Sequence, residues 1–222
     1  VGIIFLLIVQ WCSQFRIGRI RGRGLGILIM LTLAFIGWSY RSALDPDSNF
    51  FLSAIGFTFG VGLCEELTKA IPLLFFMKSE SKLGWRGACL WGLASGIGFG
   101  VSEGVTYAAD SYNGIGGVDI YLVRFISCVA LHAMWAATVA IAIARNLDWY
   151  ESVGEWPDLV VFTIRVIAVP ALLHGFYDTL LKKDMNVWAL VVAVMSFAWL
   201  ALQIERARGT APDPSAGRKR RL

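Results

Sequence analysis

The stretch FFLSAIGFTFGVGLCEELTKAIPLLFFM, residues 50–77, decides how this chain folds. It is apolar at nearly every position except for a polar knot, Glu65-Glu66-Leu67-Thr68-Lys69. A helix of that length, rising about 1.5 Å per residue, crosses a hydrocarbon layer of about 30 Å. The polar–apolar alternation of an outer-membrane strand is absent, so the stretch reads as a transmembrane helix. Its glutamates and lysine then lie at depth, where each charge costs about 3 kcal/mol on insertion scales and marks a functional suspect.

Blocks of the same kind flank it at residues 1–15, 25–44, 87–109, 120–144, 160–181 and 187–204. The whole chain is 57% hydrophobic and 16% charged, against about a quarter charged in soluble domains. The expected fold is an all-α, polytopic membrane helical bundle of about seven transmembrane helices. The loops are short, so residues 1–204 read as one transmembrane domain. Residues 205–222, rich in Pro, Gly and basic residues, read as a disordered tail. Val1–Trp11 reads as a signal peptide or a shortened first helix. No A-x-A-like cleavage site follows it, and Arg16, Arg19, Arg21 and Arg23 do, which favours the helix.

The net charge of +4 does not indicate nucleic acid, because the basic residues sit in short loops and the tail, where they set topology and meet anionic lipid. Placing the Arg16–Arg23 loop in the cytoplasm gathers fourteen Lys and Arg on that side, against Arg41, Lys182 and Lys183 on the other. The expected orientation is N-terminus outside and C-terminus cytoplasmic, in the cell inner (plasma) membrane. Lys182-Lys183 is the local violation. Cys12, Cys64, Cys89 and Cys128 form no CxxC pair and read as packing residues.

Further polar residues fall inside the spans: Glu103 in the fourth, His132 in the fifth, and His174 with Asp178 one turn on in the sixth. Counted at about 1.5 Å per residue from the outer span end for Glu65 and His132 and from the inner span end for Glu103 and His174, all four share one slab near the bilayer midplane. Gly92, Gly96, Gly100 and Gly104 recur every fourth residue, a ridge that admits a neighbouring helix closely. Pro170, one turn before His174, is placed to kink its helix. Plain structural roles compete with functional ones. Glu65 and Lys69 are spaced i,i+4 as an ion pair, Lys69 has the length to snorkel, and a membrane histidine often serves as an interhelical hydrogen bond. Glu66 is left over by that pairing, and the shared depth is hard to explain by packing alone.

The motifs Glu65-Glu66-Leu67-Thr68-Lys69 (EExxK), Phe99 to Glu103 (FxxxE) with Tyr107 following, Arg124 with His132-Ala133-Met134-Trp135, and His174-Gly175-Phe176-Tyr177-Asp178 resemble, in order, those of the PrsW family of membrane proteases. That family belongs to a larger group with the CAAX prenyl endopeptidases and bacteriocin-immunity proteins. The prenyl endopeptidases show EExxxR and FxxxH, whereas here Lys69 comes one place earlier and Glu103 stands where the histidine would, which argues against prenylated substrates. The resemblance implies a peptide hydrolase acting on a membrane protein within or beside its transmembrane segment, with an anti-sigma factor or another single-pass regulator as the kind of substrate.

Hydrolysis needs an activated water and a stabilised oxyanion, and no H-E-x-x-H or G-x-S-x-G occurs. Glu65 or Glu66 is the expected general base. His132 and His174 either stabilise the oxyanion or, with Glu103, hold Zn²⁺ with an open fourth position. Lys69, Phe99 and Asp178 are expected to support them. A metal-free glutamate and histidine site is the other form of this mechanism. Two rival functions stand beside it: a proton- or cation-coupled transporter, although no internal repeat is found, and a non-catalytic scaffold or immunity-type protein. Oligomeric state is not legible.

Overall fold

A computed structural model describes residues 22–79, 83–109 and 118–210. They form helices α1 (Gly22–Leu44), α2 (Phe50–Ile55), a π-helical segment (Gly56–Gly62), α3 (Leu63–Ser79), α4 (Trp85–Ala109), α5 (Val118–Arg145), α6 (Leu147–Ser152), α7 (Trp156–Lys182) and α8 (Asn186–Thr210). No strand occurs among the described residues. The expected block 1–15 lies outside them. The last helix runs past residue 204 to Thr210. Pro170 sits inside α7, which runs unbroken from Trp156 to Lys182.

Among the described residues, four segments are long and apolar enough to cross a membrane: Phe50–Met77, Ser127–Arg145, Pro157–Lys182 and Asn186–Gly209. The first joins α2, the π segment and α3 into one rod. Such a π turn widens the helix and shifts the phase of the turns after it, by about 100° for one extra residue. It therefore sets the direction in which Glu65 and Glu66 point.

Glycines fix the interhelical distances that matter to the polar knot. A Cβ on Gly92 would lie 2.5 Å from Ala137 Cα, and one on Gly100 2.8 Å from Val129 Cα. Between them, Gly96 meets the backbone of His132 and Ala133, so no side chain fits there without displacing the histidine's turn. The ridge is thus packing, and it delivers His132. A second close approach joins the π segment to α7. A Cβ on Gly62 would lie 2.7 Å from Ala171 O, and one on Gly175 would collide with Thr58. This contact brings His174 against the start of α3.

One end of the bundle holds an apolar core that includes Leu73, Leu74, Met77, Val139, Ile143 and Phe162, closed by Tyr150 of α6, whose hydroxyl donates to Leu74 O at 2.9 Å. At the other end, Lys182 and Lys183 are engaged by backbone carbonyls. Lys182 Nζ donates to Ala43 O at 2.7 Å and to Asp45 O, and Lys183 Nζ donates to Ser48 O. The lysines cap carbonyls at and beyond the C-terminal end of α1, where a helix dipole favours cations.

Candidate functional site

Four helices, α3, α4, α5 and α7, bring the polar residues together. Glu66 is fully buried, and its Oε1 accepts from Lys69 Nζ at 2.5 Å and lies 3.0 Å from His174 Nδ1. Lys69 is 2% exposed and does not snorkel. Its Nζ also lies 2.7 Å from His132 Nδ1, and it sits 5.0 Å from the Phe99 ring centre and 5.7 Å from that of Trp135, within cation–π range. The ion pair is therefore Glu66–Lys69, spaced i,i+3, and not the i,i+4 pair of Glu65 with Lys69. Both spacings place side chains on one helix face. The difference leaves Glu65 for other work.

The far nitrogens of both imidazoles face carboxylates. His132 Nε2 lies 2.7 Å from Glu103 Oε2, which also accepts from Cys128 Sγ at 3.3 Å. His174 Nε2 lies 3.3 Å from Asp178 Oδ2 and 3.6 Å from Glu65 Oε2. The rings are 5.1 Å apart and nearly perpendicular. Glu65, Glu103 and Asp178 retain 20%, 16% and 25% side-chain exposure, while Glu66 and Lys69 retain 0% and 1%. The cluster thus has a closed floor and an open side. A cavity of about 30 Å³, bordered by Glu103, Cys128, His132, His174, Tyr177 and Asp178, lies at that side. It has room for about one or two waters.

Every proposed site residue of the sequence is present in this cluster: Glu65, Glu66, Lys69, Phe99, Glu103, His132, His174 and Asp178. The side chains of Tyr107 and Arg124 lie outside the described residues. The combination of ligands differs in detail from the sequence expectation. One atom each from Glu65, His132 and His174 lies within 4.8 Å of the others, and a second group joins Glu103, Cys128 and His132. Imidazole, carboxylate and thiol are the donors zinc takes, and three with an open position is its hydrolytic pattern, so the donor chemistry fits a metal. The charge balance points the same way, since four carboxylates (Glu65, Glu66, Glu103, Asp178) face Lys69 and two imidazoles. Cations are drawn to such an excess where the dielectric is low. Glu65 Oε2 and Glu66 Oε2 are buried with no hydrogen-bond partner among the described residues.

Two residues here carried no role in the sequence reading. Trp135 stacks on His174 with ring centres 4.5 Å apart and planes 19° apart, and its Nε1 donates to buried Ser196 Oγ of α8 at 3.0 Å. It thereby fixes the plane of His174. Its i+3 spacing from His132 was the available signal. Cys128, read as packing, turns out to border the cavity.

A family model for PrsW family intramembrane metalloproteases matches residues 20–202. No curated protein and no solved structure matches the chain.

Proposed function

This chain belongs to the PrsW family, a family of intramembrane metalloproteases, and from that premise we propose that it is an endopeptidase of a cell's inner membrane that cleaves membrane proteins within or beside a transmembrane segment. The observation that carries the reading is the position of Glu65. It is the carboxylate of the EExxK motif that is not consumed by Lys69, it faces His174 at 3.6 Å, and its side chain keeps 20% exposure where Glu66 keeps none. Glu65 is the general base that takes a proton from the attacking water. Glu66 orients His174 through Nδ1, and Asp178 steadies the same ring at Nε2. His132, its Nε2 hydrogen shared between Glu103 and the carbonyl oxygen, stabilises the developing oxyanion. Zn²⁺, when bound, would be held by His174 with a further ligand from Glu103, and would polarise the scissile carbonyl while Glu65 stays free to act as base.

Seven spans, with the N-terminus outside and the C-terminus cytoplasmic, remain the topology favoured by the basic residues. Residues 1–204 form the protease domain and 205–222 a basic cytoplasmic tail, with α8 running into its first residues. In that orientation the exposed side of the cluster, toward Cys128 and Asp178, faces the outer half of the bilayer. Substrate and water enter there, and Glu66 and Lys69 close the site from below. A single-pass regulator such as an anti-sigma factor is the substrate class the family suggests.

The test is cleavage of a single-pass reporter by purified protein in proteoliposomes. Wild type is expected to release a fragment, and Glu65→Gln to release none while keeping its helical content. Cleavage retained in Glu65→Gln would refute the assignment of the base.

A further inference from the structure

Taking the site as hydrolytic, we infer that the Glu66–Lys69 pair holds the two histidines in opposite states at Nδ1, carrying hydrogen in His174 and bare in His132, making His174 the imidazole that would take a metal ion and His132 an N–H donor that would not. The inference rests on the group that faces each Nδ1. His174 Nδ1 meets the Glu66 carboxylate at 3.0 Å, a group that only accepts. Its Nδ1 therefore carries a hydrogen, and a metal ion replacing the hydrogen that Nε2 shares with Asp178 would leave the bond from Nδ1 to Glu66 intact. Metal-binding histidines show this arrangement, with the distal N–H donated to a carboxylate.

His132 Nδ1 meets the opposite partner. Lys69 Nζ, 2.7 Å away and ion-paired with Glu66 at 2.5 Å, is an ammonium with donors only. Nδ1 must accept from it, so the ring hydrogen resides on Nε2, where Glu103 Oε2 receives it at 2.7 Å. Binding a metal at Nε2 would require this ring to lose that hydrogen while a cation still donates to its other nitrogen. A neutral imidazole cannot meet both demands. One buried ion pair thus presents an acceptor to one ring and a donor to the other. Lys69 is a positioning residue in this scheme, acting through His132. The sorting breaks the symmetry of a ligand set in which both histidines would serve alike.

The chain holds only two histidines, so both are readable in one spectrum. Nitrogen-15 NMR of the full chain, labelled at histidine and purified without a histidine tag, reads the tautomers with no substitution needed. The expected result is a protonated Nε2 and an unprotonated Nδ1 in His132. Lys69→Arg should preserve that pattern, and Lys69→Met should lose it. A protonated Nδ1 in wild-type His132, or a pattern indifferent to Lys69→Met, overturns the inference. Zinc titration by calorimetry is the second arm. His174→Gln should weaken Zn²⁺ binding at least about tenfold, the lower end of the contribution even a supporting group makes, and His132→Gln by less than about threefold. Equal losses in the two variants, or no zinc bound by wild type, overturn the metal assignment. If the tautomers and zinc behave as expected while the reporter is never cleaved, the protease reading fails and the sorting of the histidines stands.

Discussion

Two lysine settings in this molecule, Lys69 in the middle of the bundle and Lys182-Lys183 at its end, show two uses of a partly or wholly buried ammonium. Lys69 is enclosed, paired with a carboxylate, and surrounded by Phe99, Trp135 and His132. Lys182 and Lys183 are half-buried and spend their donors on backbone carbonyls of the α1–α2 turn. The end lysines tie one hairpin to another and touch no titratable cluster. The middle lysine contributes less by holding helices together than by setting which nitrogens and oxygens around it donate or accept. Charge at the rim serves architecture, and charge at the centre serves chemistry.

The sharpest way to break that division is Glu65→Gln, expected to reduce reporter cleavage about 10²- to 10⁴-fold with little change in thermal stability. A large loss of stability instead would place Glu65 with the architectural charges. Next comes Lys69→Met, which leaves Glu66 buried and unpaired and should cost about 3–5 kcal/mol of stability, read as a lower unfolding temperature in detergent. Lys182→Met removes charged hydrogen bonds at the rim and should cost less, about 1.5–3 kcal/mol, with cleavage per folded molecule unchanged. Were Lys182→Met to lower cleavage per folded molecule as far as Glu65→Gln does, the comparison would reverse. The smallest effect belongs to Trp135→Phe, which keeps a ring over His174 and loses the bond to Ser196, at about 0.5–1.5 kcal/mol. A change in cleavage beyond that small loss of stability would show that the tilt of the indole matters to His174 in its own right.

The helices themselves were legible because long apolar runs leave few alternatives. The expected start at residue 87 compares with Trp85 for α4, and the expected end at 181 with Lys182 for α7. The membership of the cluster was legible too, from the cost of placing ionisable groups at depth. The pairing within it was not. Lys69 lies within reach of both Glu65 and Glu66 along the helix, and the choice falls to Glu66 because His174, from a helix more than a hundred residues later, approaches the same oxygen. The π segment at Gly56–Gly62 was equally hidden. It arises where glycines let α1 and α7 approach closely, a tertiary demand with no local pattern. Lys182-Lys183 misled for a related reason, since a topology count treats lysines as facing water or lipid and these face the carbonyls of another turn.

The bond from Trp135 to Ser196 has a consequence for how the protein is made. Ser196 lies on α8, which leaves the ribosome after the four helices that carry the cluster, and the indole that stacks on His174 gains its anchor only when that helix is in place. A chain stalled or truncated before α8 would carry the glutamates and both histidines and still lack the support that aligns one of them. The alignment of His174 would then arrive only once α8 has joined the bundle.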